Sequence, residues 1–93
     1  MSLVKIVTFV PSTHTDKVRT ALGSAGAGIQ GEYSYCSFTT QGVGGYLPSK
    51  AAKPFIGSPG NFEQTPEERI EVTCERGVAK QVIDAMKPIH TKK

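Results

Sequence analysis

Twice along the chain a strand-length run is followed at once by a helix-period repeat, and this order restricts the fold more than any other feature. Val4, Ile6, Val7, Phe9 and Val10 are β-branched or aromatic, and Pro11 closes the run, which predicts a strand over residues 4–10. Its apolar residues are nearly continuous, as expected where both faces, or a central position, are covered. Val18, Ala21, Leu22 and Ala25 then recur at i, i+3, i+4 and i+7, predicting a helix over residues 15–25 that Gly26 stops. Thr13 with Asp16 three positions later has the spacing of a capping box. Further on, Ile70, Val72 and Cys74 point one way while Arg69, Glu71 and Thr73 point the other, the pattern of a half-buried strand over residues 68–74. Val78, Val82, Ile83 and Met86 mark a second amphipathic helix ended near Pro88.

Between these units, residues 33–40 have strong strand propensity, with Tyr33, Tyr35 and Ser37 on one face and Ser34, Cys36 and Phe38 on the other. Residues 42–48 are expected to form a short returning strand, and residues 48–66, rich in proline, a long loop. Loops of this size are often functional or interfacial. The order β-α-β-(β)-β-α predicts an α+β, ferredoxin-like antiparallel sheet with two helices on one face and its final strand short or absent. The first strand then has an open edge, a feature that folded proteins cover. The expected cover is the proline-rich loop or a neighbouring subunit.

Composition bounds the rest. The 93 residues fit one domain, with residues 1–3 given no role and residues 90–93 read as a basic tail. The net charge is +3, but Lys5, Lys17, Arg19, Lys50, Lys53, Arg69, Arg76 and Lys80 are scattered, and only Lys87, Lys92 and Lys93 bunch. No specific nucleic-acid binding is therefore expected, because that needs clustered cations on one face. No apolar run approaches the roughly 18 residues of a membrane span, and no signal peptide is recognised. Cys36 and Cys74 lack a CxxC spacing, so both are expected to be buried reduced thiols in a cytoplasmic protein.

Several segments together carry a family resemblance. Val7-Thr8-Phe9-Val10-Pro11 precedes a helix, and Gly26-Ala27-Gly28-Ile29-Gln30-Gly31-Glu32-Tyr33 runs into Cys36-Ser37-Phe38. Pro54-Phe55-Ile56-Gly57-Ser58-Pro59-Gly60 and Glu68-Arg69-Ile70-Glu71 follow. In this order they resemble the YqfO-type domain, a PII-like and CutA-like module found alone or inserted within the Nif-three-like dinuclear-metal proteins. The resemblance implies a ferredoxin-like fold, a trimer, and small molecules or ions bound at clefts between subunits. The parent proteins are labelled GTP cyclohydrolase type 2 homologues. Their two-metal site belongs to surrounding domains, so no metal ligand set and no cofactor carries over to this sequence. In the family a His-Pro-Tyr-Glu-Glu-Pro-like segment and a closing strand follow the second helix, where this sequence has Pro88-Ile89-His90-Thr91-Lys92-Lys93.

The candidate site residues each have two readings. Gly26, Gly28 and Gly31 form either a helix stop and tight turn or, with Tyr33, a backbone nest for an anion or small ligand. They follow a helix and precede a strand, the reverse of a dinucleotide-binding fingerprint. Phe55, Gly57 and Gly60 belong either to a loop that covers its own core or to the wall of a ligand cleft. Tyr35, Ser37, Arg69 and Glu71 lie either on a solvated sheet face or at an interface between subunits, where Tyr and Arg are enriched. His14 and His90 have no partner at metal-ligand spacing, and no catalytic residue is assigned. The expectation is a binding or oligomerisation domain that is not itself a catalyst, acting on a small ligand or a partner protein. The rival is an accessory domain of a metal-dependent hydrolase.

Overall fold

The apolar run of residues 4–10 becomes the strand β1, Leu3–Pro11, in a computed structural model that describes residues 2–49 and 60–89. A short 3-10 turn, Ser12–His14, leads into helix α1, Thr15–Ser24. Strand β2, Phe38–Tyr46, and strand β3, Glu63–Glu75, follow, and a second 3-10 turn, Arg76–Val78, enters helix α2, Ala79–Met86. The three strands form one antiparallel sheet in the order β1-β3-β2. The expected α+β sheet with two helices is therefore present. Strand β1 is an edge strand among the described residues, as the element order implied.

The register explains which face is buried. Ile6 pairs with Val72 and Thr8 with Ile70, so these residues point to one side together with Val10 and Cys74. That side is covered by α1 and α2. Val18 and Leu22 of α1, Val82 of α2 and Ala27 join Ile6, Val10, Ile70, Val72 and Cys74 in one buried cluster. Val78, Ile83, Met86 and Ile89 pack against its rim. Each fully buried Val, Leu or Ile side chain contributes about 1.5–3 kcal/mol by leaving water. The period-2 pattern of the strands and the 3.6-residue pattern of the helices thus meet in one core.

Helix α1 ends as its sequence requires. The Ala27 amide donates to the Leu22 carbonyl and the Gly26 amide to that of Gly23, the paired bonds of a Schellman cap. Gly26 sits at φ 113°, a conformation open to glycine. The start of α1 differs from expectation. The N-cap is His14 and no side chain caps the amides; the Thr13 hydroxyl instead bonds His14 Nδ1, and Asp16 pairs with Arg19. The 3-10 turn places Thr13 outside the α-helix, so the capping-box spacing is met in sequence and not in space.

The middle of the chain corrects the expected strands more extensively. Residues 33–37 do not form a strand. Gln30 and Tyr33 exchange both backbone hydrogen bonds across a two-residue turn with Gly31 at φ 58°, and Tyr35 is held at φ 59°. The alternation of Tyr33, Tyr35 and Ser37 against Ser34, Cys36 and Phe38 therefore has no structural counterpart. Residues 42–46 do not return as a separate strand but continue β2 in the same direction. The loop expected over residues 48–66 ends at residue 62, because β3 begins at Glu63 and includes Pro66. Proline is tolerated there because β1 stops at the Pro11–Glu67 pair, leaving that side of β3 without a strand at Pro66 among the described residues. Beyond it, among the described residues, β2 and β3 continue alone for four residue pairs, Val43–Pro66 to Tyr46–Glu63, as a two-stranded arm.

Candidate functional site

The sheet face opposite the helices is built by the residues that alternate with the core. Val7 and Phe38 both stand beside Glu71, Phe9 and Thr40 both stand beside Arg69, and Lys5 stands beside Thr73. No helix among the described residues covers this face. Phe9 is 52% exposed and Phe38 64% exposed, and Val7 is also exposed. The first strand is apolar on both sides, as its sequence indicated, and its second side is this open face.

A compact charge group crosses the apolar row. Glu71 accepts Lys5 Nζ at 3.2 Å on Oε1 and the Arg69 guanidinium on Oε2. One carboxylate thus serves two cations, and the group keeps one excess positive charge. The strand positions dictate this contact: Arg69 and Glu71 are two apart on one strand face, and Lys5 is diagonal to Glu71 across the β1–β3 pair.

At one end of this face the sheet edge changes hands. Strand β2 begins at Phe38 opposite Glu71, and beyond it the Gly28 amide donates to the Thr73 carbonyl at 2.7 Å. The loop then folds back, with the Cys36 amide donating to the Gly28 carbonyl at 2.9 Å. Between the loop and the sheet lies a cleft of about 260 Å³ lined by Lys5, Gln30, Cys36, Ser37, Phe38 and Glu71, among others.

The expected site residues divide between places. Arg69 and Glu71 lie on the open face as foreseen, and Ser37 lines the cleft beside it. Tyr35 does not join them. Its ring lies against Gly23 of α1, where any β-carbon would collide with it, and its hydroxyl is 3.0 Å from Ser24 Oγ. Gly26 and Gly31 are explained by the cap and the turn. Gly28 is buried at φ 81°, and a β-carbon there would stand 2.6 Å from the Cys36 nitrogen and closer still to its carbonyl oxygen. Tyr33 is 75% exposed at the turn. Gly60, at φ 83°, donates its amide to Pro48 at the far end of the arm. Phe55 and Gly57 lie outside the described residues. Gly28 sits beside Thr73 and Gly60 lies just before Glu63, so the two turns flank opposite ends of β3. At roughly 3.3 Å per residue they are about 30 Å apart, and one chain does not bring them into a single cleft. Lys5, Val7, Phe9 and Gln30 were not singled out from sequence; the outward positions of the first strand carried the signal for three of them.

Both cysteines are free thiols, Cys74 buried in the core and Cys36 half-buried. Among the described residues no three His, Cys, Asp or Glu side chains gather as a metal site, and no helix is long and apolar enough to cross a membrane.

Comparison with known proteins gives a consistent set of relatives. No protein-family model matches the chain. It is 48% identical over 89 residues to a protein of Halalkalibacterium halodurans named GTP cyclohydrolase 1 type 2 homolog, covering 96% of this chain and 24% of that protein. Proteins of the same name from Bacillus subtilis and Mycobacterium tuberculosis are 46% and 40% identical, each matched over 95% of this chain. The crystal structure of a Bacillus cereus protein related to NIF3 superposes with a TM-score of 0.82 at 38% identity, covering 98% of this chain and 23% of that one. The chain thus spans about a quarter of the length of the relatives it matches.

Proposed function

Because the chain belongs to the NIF3-related family of GTP cyclohydrolase 1 type 2 homologues, matching about a quarter of their length, we propose that it is their non-catalytic binding and assembly domain. In this reading the chain is a PII-like, CutA-like cytoplasmic module that forms a homo-oligomer, with a trimer favoured, and regulates through what it binds. The observation that carries the reading is the sheet face that no described element covers. Val7, Phe9 and Phe38 stand exposed there around the Lys5–Glu71–Arg69 group. Aromatic residues and arginine in such a patch have the composition of the centre of a protein interface.

Phe9→Glu tests the assembly. The new carboxylate lies directly across from Arg69, so the fold tolerates it, while a charge is placed in the middle of the apolar row. Light scattering is expected to give a multiple of the chain mass for the wild type, three-fold in the favoured case, and the chain mass for Phe9→Glu. A wild type that stays monomeric at high concentration overturns the assembly.

The relatives' printed name favours one second reading, an accessory domain within a metal-dependent hydrolase. In that case the isolated chain changes the rate at which a full-length relative turns over GTP, an effect that a self-contained assembly module does not have.

A further inference from the structure

We propose that the cleft between residues 28–37 and the sheet binds a small organic anion, a carboxylate or a phosphate monoester joined to an apolar group about the size of one ring. The cleft is lined within one chain, and the inference goes beyond the assembly proposed above; because Lys5, Phe38 and Glu71 belong to both surfaces, the test below is run with and without assembly. Three properties of its lining select this chemistry.

The first is charge. Glu71 is the carboxylate in the lining, and it is already held by Lys5 and Arg69 together. An ammonium has three donors, and the Lys5 side chain is 60% exposed, which leaves it donors for a second anion. The second is hydrogen bonding. The Gln30 amide and the Ser37 and Thr73 hydroxyls border the cleft, and no side-chain hydrogen bond among the described residues engages them. These groups can donate to oxygens of either a carboxylate or a phosphate. The third is the apolar part of the wall, the side chain of Phe38, against which a ring can lie, Val72 being turned into the core. A volume of about 260 Å³ falls just below the range of drug-sized pockets, which fits a single ring with its acidic group.

Cys36 supplies a reporter within the wall. It is half-buried and Cys74 is buried, so a neutral reagent such as iodoacetamide distinguishes the two when modification is followed by peptide mass spectrometry. The rate of Cys36 alkylation is measured with increasing benzoate, phenyl phosphate or inorganic phosphate, with benzyl alcohol and matched potassium chloride as controls. Protection by an occupant follows the free fraction of sites, so slowing reaches about tenfold at about ten times the dissociation constant. Benzoate or phenyl phosphate is expected to protect saturably, better than inorganic phosphate, benzyl alcohol or chloride. Protection by benzoate alone assigns the carboxylate class, and by phenyl phosphate alone the phosphate class. Lys5→Gln is expected to abolish protection and Lys5→Arg to retain it.

The same titration is run on Phe9→Glu, whose substitution lies outside the cleft. Protection in that variant supports the cleft whatever its oligomeric state, while the mass measurement alone decides the assembly. No protection by either ring-bearing anion, equal protection by benzyl alcohol or chloride, or undiminished protection in Lys5→Gln overturns the proposal.

Discussion

Gly28→Ala is the perturbation whose effect follows most directly from the geometry. At φ 81° the residue occupies the left-handed half of conformational space, where a β-carbon costs about 1–2 kcal/mol. That carbon would also stand 2.6 Å from the Cys36 nitrogen and 3.1 Å from the Tyr35 carbonyl carbon, both of them backbone atoms that cannot rotate away. The loop must lift, which strains the Gly28–Thr73 and Cys36–Gly28 hydrogen bonds, each worth about 1 kcal/mol net. Alanine also narrows the unfolded ensemble and returns up to about 1 kcal/mol. The balance is a loss of about 2–3 kcal/mol. For a domain of this size each kcal/mol lowers the melting temperature by about 4–8 °C, so a fall of roughly 15 °C is expected. Gly26→Ala is the matched comparison: φ is positive there too, at 113°, but nothing lies within 4 Å of an added β-carbon. Its cost is the conformational part alone, about 1 kcal/mol. Thermal unfolding of both variants at one fixed protein concentration measures the difference. If Gly28→Ala melts within a few degrees of Gly26→Ala, the close approach of the loop to Gly28 does not exist and the cleft it forms is drawn wrongly.

Two further perturbations probe other contacts. Gly23→Ala is expected to destabilise the wild type, because the added methyl displaces the Tyr35 ring, but to stabilise a Tyr35→Ala background by up to about 1 kcal/mol through helix propensity. Urea unfolding of the four-member cycle reads the change of sign, and additivity would contradict the packing of Tyr35 on α1. The Lys80–Asp84 pair of α2 gives a pH dependence: the hydrogen bond from Lys80 holds the Asp84 carboxyl below its ordinary range, and the same bond raises Lys80. A depressed carboxyl contributes stability above its unfolded range and loses it as pH falls through the folded value. A raised lysine contributes below its unfolded range and loses it as pH rises. The contribution therefore fills the window between the two groups. The difference in melting temperature between wild type and Asp84→Asn should close toward acid pH and in high salt, and a difference that persists under both conditions refutes the pairing.

The parts of the fold that could be read from sequence are those where one periodicity decides the burial. Ile70, Val72 and Cys74 against Arg69, Glu71 and Thr73 leave one way to face the core, and Val18 with Leu22 leaves one helix face. Strand propensity does not place residues 33–37, because propensity is local and their conformation is not. Tyr35 is placed by a contact with Gly23 and Cys36 by a contact with Gly28, and neither partner is near in sequence. Strand β2 runs on through residues 42–46, where the sequence suggests a separate returning strand. In the structure Gly44 lies under the Glu67 side chain, and a β-carbon on Gly45 would come 2.9 Å from the Phe62 ring, so these glycines make room for side chains lying over the strand. The candidate site shows the same division. Alternation alone put Arg69 and Glu71 on the outward face. The cleft at its end required knowing that Gly28 takes over the edge of β3, which no spacing encodes.

The unequal lengths of the strands set up two regimes along β3. From Glu67 to Phe38's partner Glu71 it is flanked by β1 and β2 together, whereas from Glu63 to Pro66 it has, among the described residues, β2 alone. A two-stranded ribbon is marginal in water, so amides of the arm exchange with solvent through local fraying, while those of the three-stranded part exchange only when the core opens. Pro66, which has no amide proton, stands at the border between the two. One continuous strand thereby belongs to two cooperative units, and a neighbour that clasped the arm would be registered as deuterium protection at residues 63–65 before it altered anything in the core.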